Sequence, residues 1–307
     1  MSVKVDNLSA IENPNGKSNV IGFLCWYSVG EDLYSRDDLR VKILNAGLKE
    51  EFLPNQIRPS DAFRRATKAI ERTKIDAGNG VLENYLIRNV TSNNEITQRN
   101  LVKEVRDTKG QRLDYVPSVA ELVFDRKADQ FQVRKRPNDG SIADELVEEA
   151  ERLFQVYLQN HNANTVRSSV LGILKSLSPT PVRPSGGVYF VPAKNEKALR
   201  CMVNFLQSLK RGEGFMIPLI DSTENRDMVK EKLADHLRKT LEDCGEILKN
   251  PNVQKVQVRS MIDDARRIVK DFKEYREIVT GAVDDMENHI DLIRQQVQLL
   301  LEKGAEK

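Results

Sequence analysis

Hydrophobic residues follow several different spacings along this chain, and each spacing predicts a different kind of element. Residues 20–29 form the densest apolar run, which contains the single tryptophan, Trp26, and is followed by Gly30. The length and aromatic content of this run indicate a strand that is buried on both faces. Residues 35–44 and 60–70 carry apolar side chains at helical spacing after polar capping residues, which predicts two short helices.

From residue 81 onward the pattern becomes typical of β-strands. Short runs rich in β-branched and aromatic residues are separated by polar turns such as Lys109-Gly110. The connections are too short for the helices that join parallel strands, so the pattern favours an antiparallel meander. The predicted strands are residues 81–90, 101–105, 112–116, 119–124 and 130–134.

Helical spacing returns after Asp139-Gly140 and dominates the rest of the chain. The fold class predicted from these patterns is α+β: an antiparallel-sheet-containing N-terminal domain is followed by a mainly helical half with a C-terminal coiled-coil arm. The predicted helices are residues 142–159, 165–177, 193–210 and 228–248, with one apolar strand at 215–220. The predicted segments are a polar leader at 1–18, an α+β domain at 19–140, a helical, winged-helix-like segment at 141–221, and a helical hairpin with coiled coil at 222–307.

A heptad repeat, interrupted mainly by Arg276, occupies roughly the last fifty residues. Alternating spacings of three and four place one narrow apolar seam along a helix, and such a seam needs another helix to cover it. We therefore predict an oligomerisation seam. Its residues are Ile262, Val269, Phe272, Val279, Val283, Met286, Ile290, Ile293, Val297 and Leu300.

Two arrangements can cover this seam. If the helix continues through Gly281, it becomes an arm whose distal part, residues 280–303, pairs with another molecule. If Thr280-Gly281 breaks the helix, residues 228–248 can fold back to form an internal three-helix bundle. Interior glycine costs roughly 1 kcal/mol in a helix. The seam nevertheless keeps its phase across Gly281, so we favour the continuous arm and intermolecular pairing.

Charge and cysteine content narrow the class of protein only a little. The chain has 307 residues, 31% of them charged, and a net charge of +2. This balance is too small to indicate a nucleic-acid or membrane partner by itself. Three cysteines without a CxxC pair indicate reduced thiols and a cytoplasmic protein. No window approaches the roughly 18 consecutive apolar residues of a membrane span, so no membrane partner is expected.

No familiar catalytic or cofactor motif is present in the sequence. It contains no Walker loop, no GxGxxG and no GxSxG, and the three histidines lack metal-ligand spacing. We therefore assign no catalytic, cofactor-binding or metal-binding residue and expect no cofactor. A nuclease or hydrolase with an unfamiliar site stays an open alternative. The carboxylates that such a site could use on the predicted sheet are Glu104, Asp107, Asp114 and Glu121.

Nucleic-acid binding is a second alternative. The predicted helices at 142–159 and 165–177 are followed by a Pro- and Gly-containing stretch at 181–191, which loosely fits a winged-helix plan. Three basic residues of this region are candidates for phosphate contacts: Arg167, Lys175 and Arg183. The apolar stripe of the second helix is equally consistent with plain packing.

Three stretches of the chain resemble an uncharacterised family that occurs in bacteria and in their phages or mobile elements. These stretches are Asn19-Val-Ile-Gly-Phe-Leu, Ile57-Arg-Pro-Ser-Asp-Ala-Phe-Arg-Arg-Ala and Arg183-Pro-Ser-Gly-Gly-Val-Tyr-Phe-Val-Pro. The resemblance covers most of the chain and implies a bacterial or phage cytoplasmic protein. It supplies no site residue and no mechanism, because no characterised member of the family is identified.

The first hypothesis is therefore a non-enzymatic assembly or interaction protein. It would form homo-oligomers, or bind a helical protein, through its C-terminal coiled coil, and present the rest of the chain to a macromolecular partner. DNA binding and an unrecognised hydrolytic activity remain the alternatives.

Overall fold

The computed structural model describes residues 19–183, 187–281 and 283–305. Its strands are β1 (Val20–Val29), β2 (Leu33–Ser35), β3 (Arg72–Gly78), β4 (Val81–Ser92), β5 (Ile96–Asp107), β6 (Arg112–Asp125), β7 (Gln130–Lys135), β8 (Asn160–Asn162), β9 (Thr180–Pro181), β10 (Tyr189–Pro192) and β11 (Gly212–Ile220). Its α-helices are α1 (Arg36–Asn45), α2 (Pro59–Ala69), α3 (Ile142–Gln159), α4 (Ala163–Lys175), α5 (Glu196–Ser208), α6 (Thr223–Lys249), α7 (Lys255–Asp271) and α8 (Val283–Ala305). The predicted α+β class and its antiparallel sheets are confirmed. The polar leader predicted at 1–18 lies outside the described residues.

The chain divides into two compact units whose segments interleave along the sequence. The meander unit consists of residues 33–39 and 54–165. The bundle unit consists of residues 40–53, the described residues from 166 onward, and those before 33. The predicted boundaries at 140 and 221 divide the chain into consecutive segments and stay predictions, whereas the compact units interleave. The reason is that β1 pairs with β10 and β11, which come from much later in the chain.

The meander unit is built on a five-stranded antiparallel sheet in the order β3-β4-β5-β6-β7. In its register, Leu101 lies opposite Ile87 on one side and Ala120 on the other. Helices α2 and α3 cover one face of the sheet, and Phe63, Phe124, Phe131 and Phe154 form an aromatic cluster between the helices and the strands. Neighbouring strands of this sheet are consecutive in the chain, which is the predicted antiparallel meander.

Two details of this sheet differ from the prediction. The strands predicted at 112–116 and 119–124 form one strand, β6, because the register shifts between Leu101 and Lys103 and so accommodates Pro117. Strand β3 was not predicted, since most of its side chains are exposed and polar. Its pairing with β4 is a tertiary effect that local spacing does not reveal.

The bundle unit contains a four-stranded antiparallel sheet in the order β11-β1-β10-β9. Strand β1 is central, as its apolar composition predicts, and Cys25 is fully buried opposite Tyr189 and Met216. Gly22 is required in this strand. A Cβ atom there would lie 2.4 Å from the Phe190 ring and from the Val191 carbonyl oxygen.

Helices α6, α7 and α8 form the three-helix bundle of this unit. Ser222 caps α6, because its side chain accepts a hydrogen bond from the Asn225 amide. At the other end of α6, the Lys303 ammonium group of α8 donates to the carbonyl oxygens of Ile247, Leu248 and Asn250 at 2.6–2.7 Å. These contacts fasten α8 along α6.

The continuous helical arm predicted through Gly281 is wrong. Helix α7 ends at Asp271, a short 3₁₀ turn follows at Phe272–Glu274, and α8 begins at Val283. Gly281 itself has a φ of +89°, which lies in the left-handed region and is incompatible with an α-helix. The heptad keeps its phase because the segments on both sides of the break contribute to one hydrophobic core.

Hydrogen bonds stabilise the break between α7 and α8. Tyr275 is fully buried, and its hydroxyl group donates to the Ser178 carbonyl oxygen and accepts from the Thr180 hydroxyl. Arg226 of α6 donates to the carbonyl oxygens of Glu277 and Ile278 at 2.7 and 3.1 Å. These contacts satisfy carbonyl groups that a continuous helix would have used internally.

Candidate interaction surface

The predicted oligomerisation seam lies inside the bundle unit. Val269 and Val283 are half-buried, and the other eight seam residues are buried, with Ile293 and Leu300 fully so. Helix α6 packs against α8, and α7 packs against both. The helices that the seam requires are therefore supplied by this chain, in the internal three-helix arrangement. Self-association itself stays a prediction.

The three basic residues proposed for phosphate contacts have different surroundings. The Arg167 guanidinium donates to the Val29 carbonyl oxygen at 2.6 and 2.9 Å and pairs with Glu31 at 2.8 Å. Lys175 pairs with Asp264 at 2.8 Å. Arg183 lines a cavity of about 320 Å³ together with Lys232 and Lys239 of α6. Arg167 and Lys175 thus make contacts that stabilise the fold.

Among the described residues, the two helices of the predicted winged-helix segment fall in different compact units. Helix α3 belongs to the meander unit, whereas α4 from Val166 onward belongs to the bundle unit. The candidate wing strands β9 and β10 pair with each other, but β10 also pairs with β1 in the four-stranded sheet. Part of the predicted wing, residues 184–186, lies outside the described residues. The local pattern resembled a wing because a short antiparallel pair forms there in either case.

Of the sheet carboxylates considered for a nuclease, Glu104 is the buried one. Arg106 donates to both of its carboxylate oxygens, at 2.9 and 3.1 Å, and Arg112 donates to one of them at 2.8 Å. Hydrogen bonds from Arg106 and then Arg112 lower the pKa of Glu104 to about 2. This carboxylate is ionised and occupied by two guanidinium groups, which suits a structural ion pair rather than a general base.

The two buried cysteines are poorly suited to nucleophilic chemistry. Burial raises the pKa of the Cys25 thiol to about 12 and that of the Cys244 thiol to about 11. Both thiols therefore stay protonated near neutral pH, and the thiolate is the nucleophilic form. Their small apolar volume in the core is sufficient to explain them.

An aromatic patch lies on the sheet of the bundle unit. Trp26 of β1 lies opposite Phe215 of β11, and their rings stack with centroids 5.4 Å apart. Residues directly opposite each other share a face of the sheet. Ile217, two residues along β11, therefore lies on the same face. Phe215 and Ile217 are 46% and 50% exposed. We call these three residues the aromatic patch.

The bundle covers only part of this sheet face. Leu24, Leu219 and Phe190 share the face with the aromatic patch by their register, and all three pack against the hydrophobic core of the bundle. The aromatic patch continues this buried region towards the open side of β11. It is therefore an apolar surface next to a core, with its rings already ordered by stacking.

The backbone edge of β11 is less accessible than its side-chain face. The Gly214 carbonyl oxygen accepts a hydrogen bond from the Gln207 side chain, and the Ile220 carbonyl oxygen accepts one from the Asn225 side chain. Pro218 has no N–H group to donate. Such features block the addition of another strand along the edge. Any partner is expected to contact side chains rather than extend the sheet.

The three residues of the aromatic patch are uncharged, and an exposed carboxylate lies beside them. Glu213, the acidic residue next to the patch on the same face, accepts a hydrogen bond from the Ser28 hydroxyl at 3.3 Å. Trp26, Phe215 and Ile217 carry no charge. Both strands were predicted, and Phe215, Ile217 and Leu219 follow the period-two spacing of one strand face. This spacing could not show that β11 pairs with β1, which is what creates the patch.

The fold and this surface define an α+β protein with a helical bundle and an exposed aromatic sheet patch. In the described part of the chain, no helix is long and apolar enough to cross a membrane. The chain matches the model of the family of unknown function DUF6744 over residues 20–307, and it belongs to that family. No curated protein and no solved structure matches it. The predicted resemblance to an uncharacterised family is confirmed, and its bacterial or phage origin stays a prediction.

Proposed function

We propose that this chain is a non-enzymatic interaction protein that self-associates through the aromatic patch. The single observation that supports this function is that a half-buried Trp26 stacks on an exposed Phe215 beside an exposed Ile217, on one sheet face. Tryptophan and other aromatic residues are enriched at the energetic centres of protein interfaces. The heptad seam, which first suggested assembly, is replaced in this proposal because its residues are buried in the bundle unit.

The proposed occupant of the patch is a second copy of the same chain. In a two-fold symmetric contact, each patch faces its own copy, so a charged patch repels itself whereas an uncharged one does not. The aromatic patch meets this condition. The partly occupied edge of β11 favours contact between side-chain faces, as in a sheet-on-sheet packing. A functional role in assembly follows if this contact presents two meander units to further partners.

Light scattering coupled to size-exclusion chromatography tests this proposal. We expect a mass of twice 35.0 kDa for the wild-type chain and one chain mass for Phe215→Glu, because the substitution places a charge in the contact. Leu113→Glu is the matched control, since Leu113 is also an exposed strand residue, at 53%, but lies in the meander unit. A dimer that survives Phe215→Glu, or a wild-type monomer, would contradict the proposal.

The single tryptophan provides an independent measurement. Because Trp26 is the only tryptophan in the chain, its fluorescence reports directly on the patch. Diluting the wild-type protein through the dissociation range should shift the emission to longer wavelength as Trp26 becomes hydrated. An emission maximum that does not change while the mass halves would place the contact elsewhere.

Substitutions in the heptad seam distinguish assembly through the seam from assembly through the aromatic patch. Asp at positions 290 and 297 would dissociate an oligomer held by an exposed seam while leaving the rest folded. Ile290 and Val297 are buried, at 3% and 8% exposure, so we expect the double variant Ile290→Asp/Val297→Asp to unfold the bundle, with a loss of several kcal/mol. Circular dichroism separates the two results. A folded monomer would restore the seam as the assembly surface.

A cytoplasmic location is part of the proposal. All three cysteines are free thiols, and Cys25 and Cys244 are buried. Free thiols are typical of proteins that work in a reducing compartment.

DNA binding remains the second candidate only through Arg183, since Arg167 and Lys175 make structural contacts.

A further inference from the structure

A basic groove runs between α7 and α8 of the bundle unit. Its volume is about 240 Å³. Val258 and Ile262 of α7 and Leu301 of α8 form an apolar floor, in which Leu301 is still 37% exposed. Lys255, Arg259 and Arg266 line the same groove. The groove thus combines an apolar floor with a positively charged rim on one helix.

The cations of this groove lie close together, and their side chains have no partner in the described part of the chain. Within the described residues, the side chains of Lys255, Arg259 and Arg266 make no ion pair and no hydrogen bond. Some cations elsewhere on the same helices are paired, for example Arg267 of α7 with Asp264 and Arg294 of α8 with Asp291. The groove therefore concentrates positive charge that the chain does not neutralise.

The spacing of these cations follows one side of α7. Arg259 comes one turn after Lys255, and Arg266 two turns after Arg259. At 1.5 Å per residue, the row is about 16 Å long. Ile262 lies between Arg259 and Arg266 at the apolar floor. A ligand that matches this row needs apolar groups along its centre and negative charges along its side.

We propose that this groove binds an acidic amphipathic helix of another protein. Such a helix presents apolar side chains at intervals of three and four residues for the floor, and carboxylates for the three cations. Charge complementarity selects this occupant over a second copy of the same groove, where like charges would face each other. Asp263 in the groove and the apolar floor both disfavour a nucleic-acid backbone, which offers phosphates without an apolar face.

Fluorescence anisotropy with a synthetic probe tests this inference. The probe is a fluorescein-labelled helical peptide made of repeats of Glu-Leu-Ala-Ala-Leu-Glu-Glu, and the comparison peptide has Lys in place of each Glu. We expect the full chain to bind the acidic peptide and not the basic one. Reversing two charges with Arg259→Glu/Arg266→Glu should weaken binding by at least about tenfold, because each cation loses a charge-assisted contact and a repulsive one replaces it.

Two further variants separate the groove from general electrostatics. Arg88→Glu/Arg134→Glu reverses two exposed charges on strands of the meander unit and should leave the affinity unchanged. Leu301→Ser keeps the charges but removes an apolar side chain from the floor of the groove, and should also weaken peptide binding. Equal binding of both peptides, equal loss in both charge-reversed variants, or preferential binding of a duplex DNA probe over the acidic peptide would each overturn the proposal.

Discussion

At the scale of single residues, the protonation of His236 depends on folding. His236 lies in α6 at the cavity that Arg183 also lines. Burial is the main cause that lowers the pKa of His236 to about 4, and the neighbouring Arg267 adds to it, while Asp264 opposes the shift. The folded protein therefore holds this imidazole in its neutral form.

This pKa makes stability depend on pH in a defined direction. The ordinary value is about 6.5, so the unfolded chain takes up a proton at this site before the folded chain does. Stability is then fully present above about pH 6.5 and is lost as the pH falls towards 4, by about 1–3 kcal/mol. We expect His236→Gln to reduce the loss between pH 7.5 and 5 in urea unfolding. An unchanged pH dependence would show that His236 does not titrate with folding.

At the scale of secondary-structure elements, the turn between α7 and α8 determines how the heptad is used. A heptad places apolar side chains on one side of a helix, whether the covering helix belongs to the same chain or to another. The buried Tyr275 and the left-handed Gly281 end the helix and direct α8 back along α6. The same seam residues then form the core of a bundle.

A substitution at Gly281 distinguishes the turn from a continuous helix, because the two predict opposite signs for the change in the free energy of unfolding. No atom lies within 4 Å of a Cβ placed there, so only the backbone conformation matters. We expect Gly281→Ala to lower the free energy of unfolding by about 1–2 kcal/mol, because alanine is disfavoured at positive φ. Within a continuous helix the same change would raise it by roughly 1 kcal/mol.

Gly245 provides the matched control for this measurement. It lies within α6 and also has no atom within 4 Å of a Cβ placed on it. Gly245→Ala should therefore stabilise the protein by about 0.5–1 kcal/mol, since alanine is the better helix former. Opposite signs at the two glycines in urea unfolding support the turn, and a stabilising Gly281→Ala would argue for the long helix.

At the scale of the whole molecule, the bundle unit carries two surfaces of different chemistry. The aromatic patch is uncharged and lies on the sheet, whereas the groove is basic and lies between two helices. They share no residue. Effects of substitutions at separate sites without shared partners generally add.

We therefore expect the two surfaces to act independently. Phe215→Glu should give a monomer that binds the acidic peptide with a dissociation constant within about twofold of the wild-type value, and Arg259→Glu/Arg266→Glu should keep the dimer mass. Light scattering and anisotropy on the same preparations measure both quantities. Loss of peptide binding in the monomeric variant would mean that the groove depends on the dimer.

Where local spacing determines a helix or strand, the sequence predicted that element. Helix α3 occupies the predicted residues 142–159, and β1 the predicted residues 20–29. Ser141 accepts a hydrogen bond from the Asp144 amide and so caps the start of α3. Period and capping are properties of neighbouring residues, and they are sufficient for elements of this kind.

The candidate surfaces were less predictable because they depend on which elements meet. Local patterns in the chain were sufficient to predict the α+β class, the meander, the apolar seam and the strand that holds Trp26. Only the tertiary structure decided that α6 and α7 cover α8, that β11 lies beside β1, and that Arg167 and Lys175 pair with Glu31 and Asp264. The reason is physical: periodicity fixes which side of an element is apolar, whereas its partner is chosen by the free energy of contacts between residues far apart in the chain.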